Sequence, residues 1–321
     1  MRDHAIFGGC LRSDVPLPEL PLIDGVPPDW IFHRAVAPLA PAQFLGEERV
    51  DDTIRVRCSR LPDGIRLEYD DTGTFDISQR GSDIAWTPGS ASAIELVRTD
   101  LLGGVLSVAL HLQGLLVLHG SAVGIADTAV GFLANKGTGK STLATALCAA
   151  GSTLVTDDTL PVHPGTPATA WPAMPAVRLL QDSASHLRHA KGATHPATNK
   201  YHVSELPPEQ VELRRLPLAA IYELSPVADA PGTPAAERVR TTGTAAVSTL
   251  LRHNRAGGIV GTADSMAMFL RASDIVRTVP VYQLRVARGF DRLTEVVAQI
   301  RSWHAAAETG VDSTRAARSS S

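Results

Sequence analysis

Ala129-Val130-Gly131-Phe132-Leu133, then Ala134-Asn135-Lys136-Gly137-Thr138-Gly139-Lys140-Ser141-Thr142, then Leu143-Ala144-Thr145-Ala146-Leu147-Cys148, form an apolar strand, a glycine-bearing loop and a helix in direct succession. That is the context a phosphate-binding loop requires. Gly137 and Gly139 permit backbone conformations that turn successive N–H groups toward one anion. A helix beginning near Lys140 adds unpaired N–H donors and the positive end of its dipole. Lys140 is placed to reach the β- and γ-phosphates, and the Ser141 hydroxyl to ligate Mg²⁺. The consensus G-x-x-x-x-G-K-[ST] has Gly where this chain has Ala134. Read instead as a dinucleotide fingerprint, the loop fails at Thr142, which stands where the third Gly or Ala belongs. A nucleoside triphosphate with Mg²⁺ is therefore the expected ligand, held by Asn135, Lys136, Gly137, Thr138, Gly139, Lys140, Ser141 and Thr142.

Two neighbouring segments add side-chain chemistry. Seventeen residues after Lys140, the apolar strand STLVT ends in Asp157-Asp158. Carboxylates at the C-terminal end of a strand beside a phosphate strand can hold Mg²⁺ or take a proton from an attacking hydroxyl. Twenty-one residues before Lys140, the strand LLVL runs into His119-Gly120-Ser121-Ala122-Val123. A single strand-end histidine is more often a satisfied structural group than a catalytic one.

Outward from this centre, the 321 residues carry 30 Lys+Arg against 33 Asp+Glu, a formal net charge of −3. With 44% hydrophobic and 20% charged residues, the chain has the apolar content of a packed protein and not of a disordered one. Near-neutrality without a Lys/Arg run argues against a nucleic-acid binder. Cys10, Cys58 and Cys148 are far apart, which suits neither a disulfide framework nor a thiolate zinc site. The N-terminal residues show no signal-peptide pattern. Leu101–Leu118 is long enough to be weighed as a membrane span. Its His111, Gln113 and three glycines, with a break at Gly114, favour a buried helix followed by a core strand. The expected location is cytoplasmic.

The remaining organisation reads as follows. Residues 1–50 are Pro-rich, with few strand or helix signals, and residues 51–87 alternate with period two as an antiparallel meander. Residues 92–113 read as helix, packing with the meander on the core as a unit over 51–114. Residues 115–305 read as the phosphate-loop domain, in which the β–loop–α–β succession implies a parallel sheet with crossover helices. Within it, the prolines of 161–175 suggest loop or edge structure, and 225–240 an exposed loop. Residues 241–252 and 262–278 are helical, TVPVYQLRVAR is a strand and FDRLTEVVAQIRSWHAAA a helix. Residues 306–321 read as a disordered tail. His186, His189, His195 and His202, with Arg188, Lys191 and Lys200, make a basic segment better suited to phosphate or an acidic peptide than to zinc.

LHGSAV, a GxGKST loop and a strand ending in Asp-Asp, at these spacings, together resemble the catalytic domain of the HPr kinase/phosphorylase family. That family includes the kinases that phosphorylate lasso-peptide precursors and similar peptide natural products. The resemblance runs from about residue 51 to residue 297 and is strongest over 115–160. It implies an α/β fold: a P-loop HPr-kinase-like catalytic domain with a mixed or parallel sheet, preceded by the antiparallel β meander. It implies an ATP- and Mg²⁺-dependent kinase that transfers the γ-phosphate to a serine hydroxyl of a peptide or protein. Asp157 would accept the serine proton, Lys140 would bind the transferring phosphate and His119 would sit beside the catalytic carboxylate. Asp158, with Ser141, would organise the metal. The family's signature Glu has no counterpart in Pro175-Ala176-Val177-Arg178-Leu179-Leu180, although an Arg is kept. The resemblance allows a homo-oligomer. Three alternatives stay open: a nucleotide-binding accessory protein without transfer activity, a kinase of a small hydroxylated molecule, and an ATPase or GTPase using water. Eukaryotic-type kinase motifs are absent.

Overall fold

A computed structural model describes residues 1–36, 40–49, 55–89, 92–174, 176–179, 193–194, 201–203, 206–229, 232–260 and 264–305. The basic segment's His186, Arg188, His189, Lys191, His195 and Lys200 and the 306–321 tail lie outside these residues, as do the side chains of Arg178 and His202.

The first eight strands are β1 (Arg2–Ile6), β2 (Gly9–Ser13), β3 (Trp30–Arg34), β4 (Gln43–Arg49), β5 (Arg55–Leu61), β6 (Gly64–Tyr69), β7 (Gly73–Ser78) and β8 (Asp83–Pro88). They form one sheet in the order β1-β2-β3-β8-β7-β6-β5-β4. Its β5–β8 half is the expected antiparallel meander. Period-two burial builds it: Val56 and Cys58 are buried between exposed Arg55 and Arg57, and Phe75 and Ile77 are buried beside Thr74 and Asp76. Phe32, Phe75 and Trp86 form a triangle of rings, with centroid distances of 6.2 to 6.5 Å.

The reading of residues 1–50 as poor in structure is corrected here, because β1–β4 occupy much of that stretch and complete the same sheet. The physical reason is where the prolines fall. Pro16, Pro18, Pro21, Pro27 and Pro28 lie between β2 and β3, and Pro41 before β4, so none interrupts a strand ladder.

Helices α1 (Ile94–Asp100) and α2 (Leu106–Leu112) are joined by a π-helical turn, Leu101–Val105, without a break. The turn holds Gly103 and Gly104, and a Cβ on Gly104 would collide with Tyr69 Oη. Gly114, at φ +93°, then ends the helix and starts the next strand, so Leu101–Leu118 is a buried helix followed by a core strand. Among the described residues no helix is long and apolar enough to cross a membrane.

At the end of α1, Asp100 accepts a hydrogen bond from Thr72 Oγ1 at 2.5 Å. Burial pushes its pKa up to about 7, against the smaller opposing effect of the Thr72 bond and with help from the Asp71 charge. The unfolded carboxyl titrates near pH 4. Between pH 4 and 7 the folded chain binds the extra proton, so stability falls as pH rises through that window. Asp100→Asn keeps an acceptor for Thr72 and removes the penalty. We expect it to raise stability by on the order of 1–3 kcal/mol at pH 8 and to change nothing at pH 4. Thermal melts at the two pH values check this, and an unchanged or lowered Tm at pH 8 contradicts it.

The second sheet holds the loop. Its strands are β9 (Leu116–Ile125), β10 (Thr128–Leu133), β11 (Thr153–Thr156), β12 (Thr159–His163), β13 (Thr169–Ala170), β17 (Leu216–Val227), β18 (Ala236–Thr241) and β19 (Val281–Ala287). The short β14 (Val177–Leu179), β15 (Ala193–Thr194) and β16 (Tyr201–Val203) pair separately. Across the loop end the neighbours run β11-β9-β10-β17-β19-β18. β10–β17 and β17–β19 are parallel, while β9 runs antiparallel to both β10 and β11. The expected succession is therefore present in a mixed sheet: β9 is inserted between the two strands that flank the crossover helix. β12 and β13 pair the other halves of β9 and β17, closing β10-β9-β12-β13-β17 into a ring.

Two expected loops are partly strand. β12 contains Pro161, and β18, from Ala236, takes up the end of 225–240. Pro161 N lacks a hydrogen, but its carbonyl accepts from Trp171 N at 2.9 Å, so the short strand keeps one side of its ladder.

Helices cover both faces. α3 (Lys140–Ala149) and the terminal α7 (Leu293–Ala305) bury Leu143, Leu147, Val296 and Ile300 against Val130, Phe132 and Tyr222. Cys148 belongs to this cluster as a buried small apolar group. On the opposite face, α4 (Gly243–Arg252) and α6 (Ser265–Thr278) pack Leu250 and Ile275 on Leu118, Leu133 and Ile221. The short α5 (Arg255–Val260) lies between them in sequence and reaches the first sheet through Ile259 and Val260.

Candidate functional site

The quoted stretch folds as β10, a six-residue loop and α3. Gly137 and Gly139 have φ of +83° and +100°, a region where L side chains are strained, so these glycines are required by conformation and not by crowding. Gly139 is the N-cap of α3 and offers no side-chain cap. The far end of α3 is closed by a Schellman turn: Ser152 N donates to Leu147 O, Gly151 N to Cys148 O, and Gly151 has φ +95°. Lys140 is only 7% exposed, and its Nζ donates to Ala134 O at 2.6 Å. The departure at Ala134 has a plain explanation. Ala134 is not among the residues of positive φ, and its Cβ is buried in the apolar cluster beneath α3, so alanine costs no strain there.

β11 delivers the two carboxylates. Asp157 is 8% exposed, and its Oδ1 accepts from Ser141 Oγ at 2.9 Å and from Ser121 Oγ at 2.5 Å. One carboxylate oxygen thus meets the loop's serine and the serine of HGSAV. Asp158 follows at φ +87°, an unusual conformation for a residue other than glycine, at the corner between β11 and β12. Its Oδ2 is 2.7 Å from Arg255 Nη1, and its Oδ1 is 3.3 Å from His119 Nδ1. His119 Nδ1 also lies 3.1 Å from Asp158 O, which fixes the proton on Nδ1 and leaves Nε2 as an acceptor. Burial pushes the His119 pKa down to about 4, aided by the charges of Lys140 and Arg255 and only partly offset by Asp158. The imidazole is neutral at pH 7.

All the sequence-selected residues therefore gather at one end of the sheet, but the pairing differs from the expected one. Ser141 bonds Asp157, and His119 sits beside Asp158. His119 also lies inside a continuous strand, β9, at the point where its partner changes from β12 to β10 and β11.

A cleft of about 730 Å³ opens on the other side of the loop, floored by Asn135–Gly139. Its walls are the end of β17, from Glu223 to Pro226, and the segment after β19 that includes Arg288 and Phe290, backed by Leu293 and Val296 of α7. The cleft has the glycine loop as its floor and a partly apolar wall, and neither Asp157 nor Asp158 lines it. Among the described residues no three His, Cys, Asp or Glu side chains gather as a metal site. Mg²⁺ usually takes one or two carboxylates and completes its shell with phosphate and water. Ser141 and Asp157 are the residues that could share such an ion.

Four participants escaped the sequence reading: Arg255, Glu223 and His253, along with Ser121, which was quoted within its motif but given no role. The Asp158–Arg255 contact spans 97 residues and Glu223–His253 spans 30. No local pattern marks either pair.

The sequence matches no protein-family profile and no curated protein. Among solved structures it is similar to the HPr(Ser) kinase/phosphatase from Coxiella burnetii, with a TM-score of 0.33 and 12% identity, over 60% of this chain and 98% of that one. A likeness of that degree transfers no activity, so the functional reading rests on the site itself.

Proposed function

We propose that the chain is an ATP-dependent kinase that transfers the γ-phosphate to a serine hydroxyl of a peptide or protein. The observation that carries this reading is Asp157: one oxygen of a nearly buried carboxylate bonds the serine that opens the phosphate-loop helix. Both acceptor positions of Oδ1 are taken by the two serine hydroxyls, which orient the carboxylate, so a substrate hydroxyl would give its proton to Oδ2 or replace one of the serines.

In this reading Gly137–Thr142 hold the β- and γ-phosphates through backbone N–H groups, and Lys140 leaves Ala134 O to meet them. The acceptor oxygen forms a bond to the γ-phosphorus as the bond to the β–γ bridging oxygen breaks. The hydroxyl proton passes to Asp157, and ADP leaves. Mg²⁺, when bound, would neutralise the developing phosphate charge, and Ser141 and Asp157 are the residues that would hold it. Asp158, gripped by Arg255 and His119, keeps the corner rigid so that Asp157 stays aimed. A second division of labour, with Asp157 on the metal and Asp158 facing the acceptor, is favoured by the Ser141–Asp157 bond alone. The two are separated by Asp158→Asn, which costs transfer far less than Asp157→Asn if Asp157 takes the proton and at least as much if Asp158 does.

The test is transfer of labelled γ-phosphate from Mg-ATP to serine-containing peptides, including precursor peptides encoded beside the gene. Phosphoserine on a peptide supports the kinase. ATP binding without transfer moves the reading to an accessory protein, and inorganic phosphate as the main product moves it to an ATPase.

A further inference from the structure

Residues 252–255, Arg-His-Asn-Arg, form the turn between α4 and α5, and each of the four touches the site or its framework. Arg252 Nη2 donates to Glu223 Oε1 and Oε2 at 3.0 and 3.2 Å. His253 Nε2 is 3.1 Å from Glu223 Oε1, and His253 O accepts the backbone N–H of His119 at 2.6 Å. Asn254 bridges Leu118. Arg255 holds Asp158. The turn is therefore pinned at one end to a carboxylate in the phosphate cleft and at the other to the carboxylate corner.

Glu223 is the unexpected member. It lies opposite Leu133 on the strand next to the loop strand and lines the cleft. An acidic group there repels phosphate unless it is neutralised. Burial opposes its charge, but hydrogen bonds from Arg252 and His253 outweigh that and hold its carboxyl below the usual carboxylate range. Its charge is spent on the turn and not on the ligand. His253, 7% exposed at its side chain, relays that grip to the β9 backbone at His119.

We propose that Glu223 is a positioning residue for phosphoryl transfer, acting through His253 to fix the Arg252–Arg255 turn and with it His119 and Asp158. The proposal rests on the kinase reading for its effect on rate, but not for its effect on structure. A cluster that only capped α4 would lower stability without separating binding from turnover.

The experiment compares the intact chain with Glu223→Gln, His253→Gln, the double variant, and Arg277→Gln on the exposed side of α6 as a control. Three quantities are read: amide exchange at His119 without nucleotide, Kd for Mg-ATP, and kcat. Glu223→Gln is expected to speed His119 exchange at least about tenfold relative to Val123. It is expected to lower kcat by roughly 10–100-fold and to leave Kd within about threefold. The double variant should be no worse than the worse single, because the two residues act as one unit. Unchanged His119 exchange, an unchanged kcat, or additive losses would overturn the proposal. If the unmodified chain transfers no phosphate, the kinase reading falls, and His119 exchange alone decides the positioning claim.

Discussion

Asp157→Asn is expected to cut phosphoryl transfer by about 10²–10⁴-fold while the chain stays folded. Asparagine is nearly isosteric and keeps an oxygen where Oδ1 accepts from Ser121 and Ser141, so both hydroxyls retain a partner. What it removes is the negative charge. An amide oxygen cannot take the proton of an attacking serine, and it is a poor ligand for a hard divalent ion. Both consequences fall on the transition state, so kcat should drop far more than nucleotide affinity. Melting curves within a few degrees of the parent would show that the loss is chemical. A variant with more than a tenth of the parental rate would remove Asp157 from the reaction.

The second large effect is on binding. Lys140→Met should weaken Mg-ATP affinity by roughly 10–100-fold, the value of one or two charge-assisted hydrogen bonds. Methionine retains the buried apolar stem and fits the space beneath the loop. The ammonium lost is one that now rests on Ala134 O inside the loop's own ring, 2.6 Å away. In the proposed reading that contact is a resting position, given up when phosphate binds. AMP, which lacks the β- and γ-phosphates, should bind parent and variant alike. Titration calorimetry with the two nucleotides checks this, and equal losses for both would mean that Lys140 supports the loop and does not read phosphate.

The loop was legible in the sequence because its chemistry is local. Gly137, Gly139, Lys140 and Ser141 act through backbone torsions and a helix start, all decided within a few residues. The Asp157-Asp158 pair was legible as a strand-end group, whereas His119, expected at a strand end, lies inside β9. The division of the two carboxylates between Ser141 and Arg255 was not legible, because β9 is inserted antiparallel between the strands that flank α3. That insertion brings Ser121 to Asp157 and His119 to Asp158, and periodicity does not report strand order. Glu223 and the 252–255 turn were invisible for a related reason. An acidic residue in a strand pattern reads as a solvent-facing position, and its partners come from a helix end 29 and 30 residues on. In the first sheet the difficulty lay elsewhere: prolines crowd the connections of residues 1–50 and mask strands that contain none.

The most direct test of the whole account is a crystal structure with a non-hydrolysable ATP analogue and Mn²⁺, the metal placed by its anomalous signal. The account predicts the β- and γ-phosphates over Gly137–Thr142, Lys140 Nζ moved from Ala134 O to phosphate, and Mn²⁺ bound by Ser141 with an oxygen of Asp157 close by. A nucleotide bound away from the loop, or a loop in which Lys140 keeps its bond to Ala134 with the analogue present, would contradict it.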